Sequence, residues 1–271
     1  MSELIETFEE IDHALARSID VKIEPVVIIE DIESGSIRAW LSYVLRTVDD
    51  EALKKIDWKP AVGKYLVKAK YFILNYIESR TEIGTKEEIQ YLESQLLEAA
   101  KETDITHFPS YTAVDRSELL NDLGKLNHAL SYLTEKDRAI YVTIENEVRM
   151  NAQFNIVPEK LEELLTQETI ESKSEMILKV KKPDYLGESQ WEFRHGTHPM
   201  MVKIGHVEWL KDFHNRKYDI RPGDSLRSTV LTRVHYGYDK EVVATHYEIT
   251  EVKEIIRFNP PTQLPLLPQS T

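Results

Sequence analysis

The feature that most constrains this chain is a change of hydrophobic period partway along it. Up to about residue 170 apolar residues recur every three or four positions, and beyond about residue 172 they alternate. These spacings belong to helices and strands respectively, so a single repeated architecture cannot serve both parts. The charge changes at the same place. All of the net charge of −13 falls before residue 171, and the remainder is close to neutral. The combination predicts an α+β chain. An acidic, mainly helical domain with a small β element spans 1–170. A small five-stranded β-barrel-like domain with one inserted helix spans 171–258, and a Pro-rich tail follows over 259–271.

Within the first part, residues 2–17 read as a short helix. The β-branched run VKIEPVVIIEDI (21–32) reads as a strand that Pro25 confines to an edge or breaks. Residues 36–46 fit two templates. Ile37, Trp40, Leu41, Val44 and Leu45 form a helical stripe, while Ile37, Ala39, Leu41, Tyr43 and Leu45 form a strand face. The strand is favoured because an edge strand needs a partner; a helix capped by Ser36 is the alternative. Ala61, Tyr65, Leu66, Ala69, Phe72, Ile73, Tyr76 and Ile77 place a helix over 59–80. Thr85 followed by Glu88 is a capping box, and Asp115 caps a helix carrying Leu119, Leu123, Leu126 and Leu130. Thr134 and Asp137 are placed to open another helix through AIYVTIENEV (139–148). Pro158 suits the first turn of a short helix over 158–166.

In the second part MILKVKKP (176–183), WEFRH (191–195) and PMMVKIG (199–205) read as strands, with a helix over 206–217. Two long runs then meet at Gly237-Tyr238-Asp239-Lys240, a hairpin signal. In WEFRH, Trp191 and Phe193 should face the core, leaving Glu192 and Arg194 outside.

Much chemistry is excluded by composition. The chain has no cysteine, so disulfides, thiol nucleophiles and Cys-based metal sites are ruled out. It has no G-x-G-x-x-G, P-loop or G-x-S-x-G pattern. The strongest candidate is WEFRHGTHPM, which sets Arg194, His195 and His198 around Gly196. Two histidines in a turn can share a metal only with a third ligand, for which His206, His214, His235, His246 and nearby acids are the candidates; no zinc spacing links them. A polar hairpin tip is the favoured reading, with neither a catalytic residue nor a metal or other cofactor assigned. IRPGDSL (220–226) reads as a turn, in which Pro222 presets φ, Gly223 supplies φ > 0 and Asp224 accepts from amides. The alternative is an anion nest helped by Arg221 and Arg227. Pro183-Asp184 with Glu192-x-Arg194, and Glu251-x-Lys253, loosely match a metal-dependent nuclease pattern, with Arg where that pattern needs Lys. Arg194, His195, Arg216, Lys217, Arg221, Arg227, Arg233 and His235 suggest a mildly basic face. On strand 226–236, Leu226, Val230 and Val234 share one side while Arg227, Arg233 and His235 share the other.

LKVKKPDYLGESQWEFRHG, KIGHVEWLKDF and IRPGDSLRSTV resemble a loose group of bacterial proteins carried on mobile or defence-associated loci; the resemblance covers 176–256 and is fainter at SGSI (34–37). It implies a bacterial intracellular setting and a part in mobile-element conflict, and it assigns no catalytic residue.

An acidic first part repels nucleic acid and anionic membrane, so a nucleotide or nucleic acid is expected only at the C-terminal domain. The apolar-looking run YFILNYI (71–77) is far short of the roughly 20 residues that span a bilayer, and the acidic N-terminus lacks the order of a secretory signal. These point to a cytoplasmic protein without membrane contact. The expected function is non-catalytic binding or regulation. The helical domain would engage a protein partner or a second copy, and residues Arg194, His195, His198, Arg221, Arg227, Arg233 and His235 a ligand or second partner. The alternative is a metal-dependent phosphodiesterase or nuclease using the His-rich C-terminal half.

Overall fold

The computed structural model describes residues 2–33, 38–47, 58–133 and 139–258. The chain divides into two compact units, Met1–Leu165 and Thr166–Thr271, each with its own hydrophobic core. The fold class is α+β: the described residues form six α-helices, mostly in the first unit, and the second unit holds a closed five-stranded mixed β-barrel.

The first unit opens with α1 (Ser2–Ile19), followed by β1 (Ile23–Glu33) and β2 (Arg38–Thr47). The two strands pair antiparallel, Pro25 opposite Leu45, with a bulge between Ile29 and Asp31. Residues 38–46 of the ambiguous stretch are therefore strand, because pairing satisfies backbone groups that β1 alone would leave open. Then come α2 (Lys59–Glu78), β3 (Glu82–Ile83), α3 (Lys86–Glu102) and α4 (Arg116–Ser131). The Thr85–Glu88 capping box closes the start of α3, and the Asp115 carboxylate accepts from the Glu118 amide at 2.8 Å to cap α4. The apolar stripes of these helices meet in a core that includes Leu15, Tyr65, Ile73, Leu92, Leu96 and Leu126.

Residues 139–148 depart from expectation. They form the hairpin β4 (Ile140–Val142) and β5 (Glu147–Arg149) rather than a helix. The cause is local. The Thr143 hydroxyl accepts from the Asn146 amide at 2.9 Å and its N–H donates to the Asn146 carbonyl at 2.7 Å, which closes a turn. Ile140 and Val142 are β-branched and exposed, while Tyr141 between them and Val148 opposite it turn towards the core, a period of 2. The proposed caps Thr134 and Asp137 lie outside the described residues. β6 (Asn155–Ile156) pairs parallel with β3, and Pro158 opens a 3-10 turn that runs into α5 (Leu161–Leu165).

The second unit contains β7 (Glu168–Lys182), β8 (Trp191–His195), β9 (His198–Ile204), α6 (Val207–His214), β10 (Ser225–Tyr236) and β11 (Val242–Ile256). Around the barrel the order is β10, β11, β9, β8, β7, with β9–β11 the parallel join. Three register shifts in the β10–β11 hairpin bend it around the barrel. β7 begins eight residues before the alternation from 176 announces it. Residues 168–175 are exposed on both faces, so no apolar alternation marks them. α6 ends in a left-handed residue, Arg216 at φ 59°, with the Lys217 amide bonded to the Asp212 carbonyl and the Arg216 amide to the Phe213 carbonyl. Residues 259–271 lie outside the described residues.

Candidate functional site

A five-stranded barrel has little interior, and here side chains fill it. Trp191 is fully buried, with ring centroids 4.7 Å from Phe213 and 5.9 Å from both Phe193 and Trp209. Leu178, Val180, Val202, Leu226, Val230 and Ile249 complete the packing. Any binding chemistry of this unit therefore belongs to its outer surface.

The segment around Gly196 is a tight β8–β9 turn. Gly196 sits at φ +60° in the first loop position, a conformation that costs glycine little. The register sets Arg194 opposite Pro199 and His195 opposite His198. Trp191 and Phe193 point into the core, as their alternation requires, and Glu192 and Arg194 point out. The fold thus places all three residues on one exposed turn, His195 and His198 on one face of the hairpin and Arg194 on the other. None of the three makes an ion pair or side-chain hydrogen bond among the described residues.

The remaining basic residues stand differently. Arg227 lies 3.1 Å from Glu254, and Arg233 lies 2.7 Å from Glu171 and 2.8 Å from Glu248. Lys253 reaches Glu175 at 2.6 Å, which holds that carboxyl below its usual range. The outer face of β7, β10 and β11 is thus a ladder of alternating charges in which the expected basic residues are neutralised by neighbouring strands. Arg221 pairs with Asp219 at 2.7 Å. His235, near the far end of β10, has its ring edge-on to His246 at 5.2 Å and its Nδ1 3.4 Å from the Thr166 hydroxyl.

The amides of Arg221, Gly223 and Asp224, which would form the nest, are already taken within the fold. The Arg221 amide donates to the Asp224 carboxylate at 3.0 Å, the Gly223 amide to the Val180 carbonyl at 2.8 Å, and the Asp224 amide to the Arg221 carbonyl at 3.0 Å. Asp224 is buried, which opposes its ionisation. Donors from Phe258, Arg221 and Arg257 outweigh that and hold its carboxyl below the usual range. Gly223, at φ +104°, lets the Phe258 ring lie 3.2 Å from where a Cβ would stand. Asp224 is the clasp between this turn and the end of β11.

The residues of the nuclease-like pattern are also engaged. The Asp184 carboxylate accepts from the Ser189 hydroxyl and from the amides of Leu186, Gly187 and Ser189, which together hold it far below the ordinary carboxylate range. Glu192 pairs with Lys181, and Glu251 accepts from the Thr229 hydroxyl at 3.2 Å. Two other histidines serve the backbone. His206 Nδ1 accepts from the Val252 amide at 3.0 Å, and His214 Nε2 lies 3.4 Å from the Asp184 carbonyl.

The first unit contains ionisable groups that sequence reasoning overlooked. Lys70 donates to Asp12 at 2.7 Å with neither side chain exposed; burial lowers the lysine's pKa and Asp12 opposes the shift. Arg116 makes two 2.6 Å bonds to Glu93 and a third to the Leu164 carbonyl. Asp122 lines a small cleft with Ile11, Leu15, Ile73 and Leu123, and burial raises its pKa from 3.8 to about 6. A signal was present. Asp12, Lys70 and Asp122 each interrupt an apolar helix stripe, as Asp122 does between Leu119 and Leu126. Asp12 and Lys70 pair out of reach of solvent, so they serve the fold.

No helix among the described residues is long and apolar enough to cross a membrane. No protein-family model matches the chain, and neither the curated proteins nor the solved structures contain a match.

Proposed function

We propose that this chain is a non-catalytic binding or regulatory protein. In this reading the acidic helical unit docks a protein partner, and the barrel presents the β8–β9 tip to a ligand or second partner. One observation supports it above the others. Arg194, His195 and His198 stand exposed on one hairpin tip, without an ion pair or side-chain hydrogen bond among the described residues, on a barrel whose other site residues are engaged by neighbouring groups. The paired imidazoles on one face of the hairpin and the Arg194 guanidinium on the other all supply donors to a carboxylate or phosphate, so the partner group is anionic: an acidic side chain or a nucleotide phosphate. A cytoplasmic setting, in a bacterial defence or mobile-element system, belongs to the same proposal and is supported by the resemblance of residues 176–256.

The metal-dependent phosphodiesterase reading is favoured by one feature, the adjacent rings of His235 and His246. Against it stand the engaged acids Asp184, Glu192 and Glu251. The two readings separate in a turnover assay with bis(4-nitrophenyl) phosphate and a single-stranded oligonucleotide, each with Mg²⁺, Mn²⁺ or Zn²⁺ added. The binding reading expects no turnover above that of a His235→Ala/His246→Ala variant. Metal-dependent hydrolysis that this variant loses would replace it with the enzyme reading.

A further inference from the structure

β7 is longer than the barrel needs. Its C-terminal part is sandwiched, since Lys179, Val180 and Lys182 pair with β8 while β10 runs along the other side. Its N-terminal part pairs with β10 alone, through an unbroken register from Glu168 opposite Tyr236 to Lys179 opposite Ser225. Among the described residues no strand pairs with the other side of 168–177. Every residue from Glu168 to Glu175 is exposed. An open edge of this length presents a row of unpaired amides and carbonyls.

The phase of that edge is set by Val180. Its N–H donates to the Asp224 carbonyl at 2.7 Å and its carbonyl accepts from Gly223, so Val180 directs both groups to the β10 side. Alternate residues of an antiparallel strand direct theirs to opposite sides. Thr169, Glu171, Lys173 and Glu175 therefore face the open edge. The side chains at its centre are uneven. The Glu171 Oε1 atom is held by Arg233 and Glu175 by Lys253, whereas Lys173 makes no ion pair among the described residues.

We infer that this edge pairs antiparallel with the same edge of a second copy, about a two-fold axis at Ser172. The register follows from charge. A symmetric pair that keeps backbone phase must centre on one residue. Centring on Glu171 sets that glutamate against itself, and centring on Lys173 opposes two lysines and two Glu171–Glu175 pairs. Centring on Ser172 places Lys173 opposite Glu171 of the other copy twice, with no like charges opposed. Centring on Ser174 also matches charge, but it draws Leu178 into the pairing and runs against β8, which occupies that side from Lys179 onward. The Ser172 register lies wholly within the open edge. Isologous pairing of this kind closes on itself at two copies and leaves no further edge to grow.

The chain has no native cysteine, so a disulfide can report the register directly. Ser172 of the two copies would form a non-hydrogen-bonded pair with Cα atoms about 4.5 Å apart, a separation a disulfide spans. The experiment uses the full chain. Sedimentation equilibrium should show the average mass rising with concentration from 31.6 kDa towards twice that value. Mild oxidation should link Ser172→Cys as a dimer but leave Lys173→Cys monomeric. Lys173→Glu should weaken the dimer by about tenfold, since each attractive pair becomes repulsive. Lys173→Pro removes an amide that faces the open edge and is tolerated there, so it should give a folded monomer. A wild-type mass fixed at 31.6 kDa up to the highest soluble concentration would overturn the proposal. So would Ser172→Cys remaining unlinked, the result expected if the edge instead receives a foreign peptide, and so would a dimer indifferent to Lys173→Pro.

Discussion

The two units place their charge in opposite ways. In the helical unit the Asp12–Lys70 pair is completely buried, and Arg116 is enclosed by Glu93 and the Leu164 carbonyl. In the barrel the packed interior is chiefly aromatic and aliphatic, the buried Asp224 carboxylate clasps a turn, and the ion pairs of Arg227, Arg233 and Lys253 stand on the outer face. The difference teaches how each unit fixes its arrangement. An apolar helix stripe tolerates rotation and sliding against its neighbours, and a buried ion pair between α1 and α2 admits one registration. A barrel needs no such device, because slipping one residue turns every side chain to the wrong face.

This contrast can be broken at three places, with effects of decreasing size. Lys70→Met leaves the Asp12 carboxylate buried without its partner and should cost about 3–5 kcal/mol in a urea titration. Adding Asp12→Leu should recover most of that loss; an unrelieved cost in the double variant would mean the pair is not its source. Asp122 gives an intermediate effect with a definite sign. Its folded pKa of about 6 lies above the ordinary 3.8, so the folded state binds the proton more tightly. Stability is therefore full at low pH, falls as pH rises from about 4 through 6, and levels off above, a loss of up to ~3 kcal/mol. Asp122→Asn should flatten that slope, as pH-dependent melting would report. Arg233→Ala removes two ion pairs from an exposed face and should cost no more than ~1 kcal/mol, less in high salt. A loss as large as that of Lys70→Met would erase the distinction between the units.

Much of the architecture was legible because it is written in local signals. The change of period, the Thr85–Glu88 box, the Asp115 cap and the inward Trp191 and Phe193 each depend on residues a few positions apart. What could not be read depends on partners distant in sequence. β7 between 168 and 175 shows no alternation and is held as a strand by β10, some sixty residues later. Residues 139–148 are the exception: the β-branched Ile140, Val142 and Ile144 and the Thr143–Asn146 turn are local signals for a hairpin, and the cap-like Thr134 and Asp137 pointed to a helix instead. The site divides in the same manner. Arg194, His195 and His198 are adjacent through one turn, so their place at a shared tip was readable. Arg227 and Arg233 looked basic on a single strand, and only the neighbouring strands reveal Glu171, Glu248 and Glu254 beside them.

Comparative affinity purification from native cells asks whether the β8–β9 tip recruits a partner. Wild-type protein would be compared with an Arg194→Ala/His195→Ala/His198→Ala variant shown to melt at the same temperature. The variant should lose at least one stoichiometric partner or ligand and retain partners of the helical unit. An identical set of bound molecules on both proteins would contradict the binding role of the tip.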